Sequence, residues 1–322
     1  MKFLITGGAG FIGSHLCDGL IKSKDEVIAL DNLSTGRYEN IHHLSGKTNF
    51  EFVEGNILDT ILIDKLVERV DVVFHLAAAV GVNLIVNKPL ESLTTNIKGS
   101  EIVLDAALRY RKKILVTSTS EIYGKNKNGP LKEDDDRILG SPLRVRWSYS
   151  TAKAVDEMLA YIYWKEKGVP SIIVRLFNTV GPRQTGAYGM VIPRFIEQAL
   201  ANRPITVYGT GEQSRCFVHV KDVVAALIKL IEEPKAVGKV FNIGSQEEIT
   251  ISHLAKKIIE ITKSRSEVEY IPYEKAYEDG FEDMQRRVPD TTKINKLIGF
   301  HPTYNLTEII KDTVKHLKTK NL

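Results

Sequence analysis

The sequence predicts an α/β protein: a doubly wound parallel sheet followed by a smaller mixed α/β domain. Short, β-branched apolar runs alternate with longer helical patterns through the first 178 residues. This alternation is typical of parallel strands that helices cover on both faces. A glycine-rich turn directly follows the first apolar run, and beyond residue 178 glycines and prolines separate shorter elements. The chain is therefore expected to change its architecture near its midpoint.

The elements of the first part follow in chain order. The predicted strands are nearly continuous in hydrophobicity, as strands buried on both faces are: Lys2–Thr6, Glu26–Leu30, Phe50–Glu54, Val70–Leu76, Lys113–Ser118 and Ser171–Phe177. Helical patterns lie between them, at Ser14–Lys22, Ile61–Glu68, Leu90–Tyr110 and Thr151–Lys167. We expect right-handed crossovers to join these strands into one sheet, so that residues 1–178 form the first domain.

The second part is more mixed. Helical patterns return at Ile192–Asn202, Val220–Glu233, Thr250–Thr262 and Leu306–Thr319, and Val240–Ile243 has the composition of one more strand for the large sheet. We therefore expect residues 179–322 to form mainly a smaller domain, with parts of residues 215–245 crossing back to the first. No linker rich in proline and serine separates the two parts, so they are expected to pack as one body.

Composition excludes several classes of protein. Hydrophobic residues make up 43% of the 322 residues and charged residues 26%, which excludes a disordered or low-complexity chain. The formal net charge is only +4, without a long basic run, which argues against a nucleic-acid or membrane-surface protein. No stretch reaches the ~20 apolar residues of a membrane helix, and no secretory signal pattern is present. We expect a cytoplasmic protein.

Cysteine and histidine usage argues against disulfides and metal. Cys17 and Cys216 fit neither a disulfide framework nor zinc-ligand spacing. His42 and His43 lie in a polar segment without carboxylates at ligand spacing, and His219 is expected to be a packed structural residue. No metal site is predicted, and both thiols are expected to be reduced.

The glycine-rich turn has the pattern of a dinucleotide site. Residues 7–13 read Gly-Gly-Ala-Gly-Phe-Ile-Gly between a strand and a helix. Glycine is needed there because the backbone turns tightly and a pyrophosphate approaches the helix N-terminus. Asp31 ends the second strand, where a carboxylate accepts hydrogen bonds from ribose hydroxyls and repels a 2′-phosphate. Arg37 is the opposing signal, but Asp31 lies closer to the strand end, so we predict NAD rather than NADP.

A second motif carries acid–base chemistry. Tyr149 and Lys153 are four residues apart and share one helix face. An ammonium group close to a phenol lowers its pKa, which makes the phenol a base near neutral pH. Thr117–Glu121 lies at the end of a predicted strand, at the sheet edge where open α/β sheets bind ligands. Together these residues favour proton removal from a sugar hydroxyl while hydride leaves its carbon for nicotinamide.

With these motifs in place, the chain resembles the extended short-chain dehydrogenases/reductases that act on nucleotide sugars. The matching segments are residues 7–13 (GGAGFIG), 31–36 (DNLSTG), 75–78 (HLAA), 117–124 (TSTSEIYG), 149–153 (YSTAK), 175–183 (RLFNTVGPR) and 205–222 (ITVYGTGEQSRCFVHVKD). They cover nearly the whole chain. The resemblance implies a Rossmann-type cofactor domain, a nucleotide-sugar-binding second domain and NAD as cofactor.

The resemblance also implies roles for individual residues. Tyr149 would be the base, Lys153 its partner, Thr119 the residue that bonds the reacting oxygen, and Glu121 a further catalytic residue. The residues expected at the cofactor, besides Tyr149 and Lys153, are Gly7, Gly10, Phe11, Ile12, Gly13, Asp31, Asn32, Ser34, Thr35, Gly36, Asn56, Ile57, Leu76, Ala77, Ala78, Asn96 and Thr117. Asn56 departs from the family's usual aspartate, but an amide still accepts from an adenine amino group.

The nucleotide sugar is expected to lie against the second domain. The residues implied are Thr119, Ser120, Glu121, Asn178, Val191, Phe195, Val207, Tyr208, Arg215 and Arg287. Val191 and Phe195 would pack against the nucleotide, while Val207 and Tyr208 would flank the base. Arg215 and Arg287 are candidates for the diphosphate, because a guanidinium binds phosphate oxygens bidentately.

Three reactions share this cofactor and the Tyr–Lys pair, and all begin with oxidation at sugar C4. The GPRQTG and GMVIPRF segments, at residues 181–186 and 189–195, favour a UDP-sugar 4-epimerase of the UDP-glucose or UDP-glucuronate type. The alternative is a UDP-glucuronate decarboxylase that forms UDP-xylose, because Thr-Ser-Glu at 119–121 and Arg287 resemble those enzymes. A 4,6-dehydratase is disfavoured, since Ser120 replaces its acidic residue. A non-catalytic NAD-binding protein is disfavoured because Thr119, Tyr149 and Lys153 are intact.

Two helices are expected to pair two copies of the chain. The family usually dimerises through helices that correspond to Leu90–Tyr110 and Thr151–Lys167. These helices carry more apolar residues than one core-facing stripe needs: Ile97, Ile102, Val103, Leu104, Met158, Leu159, Tyr161, Ile162 and Trp164. A homodimer is therefore predicted.

Overall fold

Strands organise the protein into one large and several small sheets. The computed structural model describes residues 1–79, 88–126, 129–186, 190–276 and 284–320. Within these residues the strands are β1 (Lys2–Thr6), β2 (Glu26–Asp31), β3 (Phe50–Glu54), β4 (Val72–His75), β5 (Lys113–Thr119), β6 (Ser171–Leu176), β7 (Thr179–Val180), β8 (Ile205–Tyr208), β9 (Ser214–Cys216), β10 (Val218–His219), β11 (Val240–Ile243), β12 (Glu248–Thr250), β13 (Val268–Ile271) and β14 (Arg286–Arg287).

Helices follow most of these strands. In the described residues they are α1 (Phe11–Lys22), α2 (Thr60–Glu68), α3 (Pro89–Arg109), α4 (Ser148–Lys167), α5 (Val191–Leu200), α6 (Val220–Glu232), α7 (Ile251–Thr262), α8 (Tyr273–Ala276), α9 (Thr292–Ile298) and α10 (Leu306–Lys320). Local chemistry sets several ends. Asp59 caps α2 by accepting a hydrogen bond from the Leu62 N–H at 3.0 Å. Gly168 ends α4 in the left-handed conformation, at φ 73°.

The large sheet is parallel and has the order β11-β6-β5-β4-β1-β2-β3 among the described strands. Helices α1 and α6 pack over one face, where Leu16 and Leu227 join the core cluster of Ile5 and Phe74. The other face is covered by α2, α3 and α4, around Ile63, Leu104 and Ala160. This arrangement confirms the predicted doubly wound parallel sheet.

The structure refines the predicted element bounds at the sheet's carboxyl edge. The strands β2 and β5 run one residue further than predicted, to Asp31 and Thr119, so both candidate site residues end a strand. Helix α1 begins at Phe11 rather than Ser14, because the glycine turn passes directly into the first helical turn. Strand β11 pairs in parallel with β6 at the edge of the large sheet.

The rest of the chain packs beside the carboxyl edge of that sheet. Strands β8 and β13 pair in parallel, and β9 lies between β12 and β14. Helices α5, α7 and α10 enclose a separate core that contains Phe195, Leu254 and Ile309. None of the helices in the described ranges is both long and apolar enough to cross a bilayer.

Candidate active site

A cleft of about 790 Å³ lies at the carboxyl edge of the large sheet and extends to the second core. Residues at the ends of β2, β5 and β6, and residues directly after β1 and β4, line it, as expected for the ligand site of an open α/β sheet. The predicted site residues that line it are Gly7, Gly10, Phe11, Ile12, Gly13, Asp31, Asn32, Ser34, Thr35, Asn56, Ile57, Leu76, Ala77, Ala78, Thr117, Thr119, Ser120, Glu121, Tyr149, Lys153, Asn178, Val191, Tyr208, Arg215 and Arg287.

Four predicted site residues lie behind the cleft wall. Phe195 and Val207 are fully buried in the second core, so their hydrophobicity serves packing rather than nucleotide contact. The amide of Asn96 holds the Ala79 backbone, accepting from its N–H at 2.8 Å and donating to its C=O at 3.2 Å. Gly36 packs against Asp31, where a Cβ would meet the carboxylate at 2.7 Å. These four residues shape the cleft only indirectly.

The glycine turn fits a pyrophosphate. Gly7 has φ 74°, and a Cβ at Gly13 would lie 2.1 Å from the Gly7 carbonyl oxygen, so only glycine allows α1 to start so close to β1. The N-cap residue is Gly10, which has no side chain that could occupy the first N–H groups of α1. The first N–H groups of α1 therefore remain available to an anion.

Asp31 fits a ribose at the end of β2. Its carboxylate accepts hydrogen bonds from the Ala9 N–H at 3.0 Å and the Leu33 N–H at 2.8 Å, which ties β2 to the glycine turn. Burial raises the pKa of Asp31, and these backbone hydrogen bonds oppose the rise. The side chain still lines the cleft, where its oxygens can accept from vicinal hydroxyls. Arg37 also lines this region.

Tyr149 and Lys153 lie on the face of α4 that borders the cleft. The Lys153 ammonium, 2% exposed, donates to the Asp156 carboxylate at 2.7 Å. Burial raises the pKa of Tyr149, and the charges of Glu121 and Asp156 raise it further. Lys153 is paired with Asp156 in this structure, and the lowering of the Tyr149 pKa by Lys153 stays a prediction.

Glu121 lies in the turn after β5, between two arginines. Arg146 donates to both of its carboxylate oxygens, at 2.6 and 3.2 Å. Arg287 lies 3.8 Å from the nearer oxygen and donates to the Ser120 hydroxyl at 3.2 Å. Burial alone would raise the pKa of Glu121, but Arg146 and then Arg287 outweigh it and lower the pKa to about 2. Glu121 is therefore an anion at neutral pH, and the site carries excess positive charge.

Arg146 was missed by the sequence analysis. It precedes Tyr149 by about one helical turn and lines the same cleft. Its position just before the helix of Tyr149 was the only local signal for it among the described residues. Its partner Glu121 comes from a distant strand end, which no local pattern reveals.

The far end of the cleft is built from the second core's strands. The Asn178 amide donates to the Cys216 carbonyl at 2.8 Å, which joins the end of β6 to β9 and places Arg215 beside the cleft. The Arg194 guanidinium lies 4.3 Å from the Tyr208 ring centroid, and Gln213 donates to the Tyr208 carbonyl at 3.0 Å. Arg194 and Gln213 are two further cleft residues that the sequence analysis did not single out.

Comparisons with known proteins agree with this architecture. The family model for GDP-mannose 4,6 dehydratase matches residues 4–313. The chain is 43% identical over 315 residues to UDP-N-acetyl-alpha-D-glucosaminuronate decarboxylase of Bacillus cytotoxicus, covering 98% of this chain and 97% of that protein. It is 36% identical over 315 residues to UDP-glucuronic acid decarboxylase 1 of Danio rerio, covering 98% of this chain and 72% of that protein.

A solved structure adds the cofactor. UDP-glucuronic acid 4-epimerase from Bacillus cereus, in complex with UDP-glucuronic acid and NAD, matches with a TM-score of 0.89 at 31% identity, over 99% of this chain and 100% of that one. NAD, the cofactor predicted from Gly7–Gly13 and Asp31, is thus confirmed at the level of the family. The matched length and the shared architecture assign the chain to the GDP-mannose 4,6-dehydratase family, among the extended short-chain dehydrogenases/reductases of nucleotide sugars.

Proposed function

We propose that the protein is an NAD-dependent decarboxylase of a UDP-hexuronate, such as UDP-glucuronate or its 2-acetamido counterpart. The position of Arg287 carries the choice of a uronate substrate, and the relatives named as decarboxylases support the reaction. The buried guanidinium of Arg287 bonds Ser120, next to Thr119 at the end of β5. This location supports contact with a sugar C6 carboxylate better than with the diphosphate, because it adjoins the residues expected at C4.

The comparisons support the alternative from the sequence better than the 4-epimerase that the sequence favoured. Both curated relatives described above carry the name of a UDP-uronate decarboxylase. The epimerase is a structural neighbour at 31% identity. Epimerisation and decarboxylation share the first oxidation step, so common fold and cofactor do not separate them. The charge at Arg287 favours a uronate over a neutral sugar, and the names of these relatives favour decarboxylation over epimerisation.

Different parts of the cleft would bind the cofactor and the nucleotide sugar. We propose that NAD lies along the Gly7–Gly13 turn with a ribose at Asp31, and that UDP extends toward Arg215 and Tyr208. Bound there, NAD would supply hydride transfer from sugar C4 and back to it. We propose residues 1–178 as the cofactor domain, together with the α6–β11 segment that packs on its sheet, and the remainder as the nucleotide-sugar domain.

The reaction follows from the chemistry of these groups. Tyr149 takes the proton of the C4 hydroxyl while Thr119 hydrogen-bonds the same oxygen. The C4 ketone is then β to the C6 carboxylate, so the C5–C6 bond breaks, CO2 leaves and its bonding electrons form an enolate through C5, C4 and O4. Thr119 and protonated Tyr149 donate hydrogen bonds to that oxyanion. C5 takes a proton from solvent, and Tyr149 returns its proton to O4 as hydride returns to C4.

Mass spectrometry and proton NMR test this proposal directly. The purified protein with NAD is incubated separately with UDP-glucuronate, its 2-acetamido counterpart and UDP-glucose, with Tyr149→Phe as the inactive control. We expect a UDP-sugar lighter by one CO2 from at least one uronate and no reaction of UDP-glucose. A product of unchanged mass with an altered C4 proton signal would instead identify an epimerase and overturn the proposal.

We also propose that the protein acts as a homodimer through α3 and α4. Val103 and Leu104 are fully buried in the core and contribute nothing to a dimer surface, contrary to the sequence analysis. Met158, Tyr161 and Ile162 remain 40–60% exposed on α4, which leaves an apolar face for a second copy. Light scattering at micromolar concentration is expected to give twice the mass of the 36.1 kDa chain, and a monomer would contradict this.

A further inference from the structure

A buried carboxylate beside the catalytic pair has no role in the mechanism above. Asp156 is fully buried, and its Oδ2 accepts from the Lys153 ammonium at 2.7 Å. Its other oxygen has no hydrogen-bond partner among the described residues. Its neighbour Glu157 is engaged with Arg175, so Asp156 is separate from that ion pair. We propose that Asp156 is a positioning residue that holds the Lys153 ammonium and sets the charge surrounding the Tyr149 phenol.

Stability alone is a poor explanation for this pair. A buried ion pair gains little over apolar packing, because removing both charges from water offsets their attraction. A carboxylate with one oxygen unsatisfied is less favourable still. Asp156 is a carboxylate of this kind, and it lies three residues after Lys153 on α4, about one helical turn away. Its effect is therefore expected in the chemistry next to it rather than in the free energy of unfolding.

The charges around the phenol define the direction of the effect. Glu121, in the turn after β5, and Asp156 both raise the pKa of Tyr149. His75 on β4 is neutral, since burial and then Lys153 lower its pKa to about 3; its ring contacts Ser100, a neutral residue of α3, at 3.1 Å. Toward β6, Arg175 is neutralised by Glu157. Asp156 is thus the charge that balances Lys153.

Neutralising Asp156 tests this role. In Asp156→Asn the phenol loses a nearby anion and the ammonium loses its partner, so the phenolate forms at lower pH. We expect the acidic limb of the kcat/KM profile to move down by about half a pH unit or more, with KM for the UDP-sugar changed little. Glu166→Gln is the matched control, because it removes the same charge from the exposed end of α4 and is expected to leave the profile in place.

A second readout keeps the two proposals separate. Tyr149 acts as the base only if the proposed function holds, so the kinetic role of Asp156 rests on it. The alkaline ultraviolet titration of Tyr149, obtained by subtracting the Tyr149→Phe spectrum, needs no substrate. It is expected to shift to lower pH in Asp156→Asn even if no uronate is decarboxylated. Asp156→Ser replaces Asp156→Asn if the latter does not fold. Unchanged titration and pH profile, or failure of both variants to fold, would overturn the role of Asp156.

Discussion

Arg146 and Glu121 form a two-point ion pair in the wall of the cleft, with Nη1 to Oε2 at 2.6 Å and Nη2 to Oε1 at 3.2 Å. The pair joins the segment before α4 to the turn after β5. Tyr149 lies in the first turn of α4, and Thr119 is the last residue of β5. A bidentate pair fixes direction as well as distance. Arg146 therefore couples the position of Tyr149, the proposed base, to the end of β5 that carries Thr119.

Removing the Arg146 charge is expected to reduce catalysis. In Arg146→Gln the carboxylate of Glu121 loses its bidentate partner, and the turn after β5 loses its tie to α4. We expect kcat/KM for the UDP-uronate to fall at least about tenfold, as for the loss of a charge-assisted hydrogen bond of ~1.5–3 kcal/mol. Steady-state kinetics measure this. Arg144→Gln, on an exposed residue of the same segment, is the control, and equal activity in both variants would contradict the coupling.

The low pKa of Glu121 predicts a specific acid sensitivity. A carboxyl group whose folded pKa of about 2 lies below its unfolded value of 4.5 stabilises the fold above pH ~5 and loses this contribution as pH falls. Between pH 5 and pH 3 the contribution shrinks by about 2 kcal/mol. In urea unfolding, the stability gap between the wild type and Glu121→Gln should narrow by that amount. Glu51→Gln, in an exposed pair with Arg69, is the control for removing a surface carboxylate, and it is expected to change stability by less than about 1 kcal/mol.

Two adjacent arginines offer a matched test of the carboxylate site. Arg287 is buried and bonds Ser120 at the cleft, whereas exposed Arg286 pairs with Glu248 outside it. We expect Arg287→Gln to lower kcat/KM for the uronate by about thirtyfold, equivalent to ~2 kcal/mol. Arg286→Gln should remain within about twofold of wild type. Binding of UDP-glucose, measured by calorimetry, should be equal in both variants, and a selective loss in Arg287→Gln would favour the diphosphate role.

Tyr149→Phe separates chemistry from binding. The variant keeps the ring and removes only the hydroxyl that would exchange a proton with O4. We expect turnover to fall by about 10²–10⁴-fold, while the NAD dissociation constant stays nearly unchanged in fluorescence titration. Activity above a tenth of the wild-type value would remove Tyr149 from the role of base.

Gly13→Ala tests the fit of the glycine turn. The added Cβ would lie 2.1 Å from the Gly7 carbonyl oxygen, so α1 would have to move away from β1. We expect NAD binding to weaken at least about tenfold, because the helix N-terminus would no longer face the pyrophosphate. Gly10→Ala, whose Cβ would lie 3.1 Å from the same oxygen, is expected to have the smaller effect. Differential scanning fluorimetry with and without NAD reports both changes.

Much of the fold could be predicted because its signals are local. The apolar runs of β1, β4 and β5 and the spacing of Gly7, Gly10 and Gly13 are short-range patterns with direct physical meanings. Tyr149 and Lys153 were found for the same reason, since four residues on a helix define a shared face. Hydrophobicity, however, does not distinguish a cleft wall from a core, and Phe195 and Val207 were therefore assigned to the nucleotide while the structure buries them.

The sequence by itself determined the parallel sheet, the dinucleotide turn and the Tyr–Lys pair, because each is encoded by neighbouring residues. Only the tertiary structure decided the electrostatics of the site. Glu121, Arg146 and Arg287 meet because the turn after β5, the segment before α4 and strand β14 converge at one end of the cleft. Lys153 is neutralised by Asp156 rather than directed to Tyr149 alone. Charge interactions depend on distances between side chains, and those distances exist only once the chain has folded.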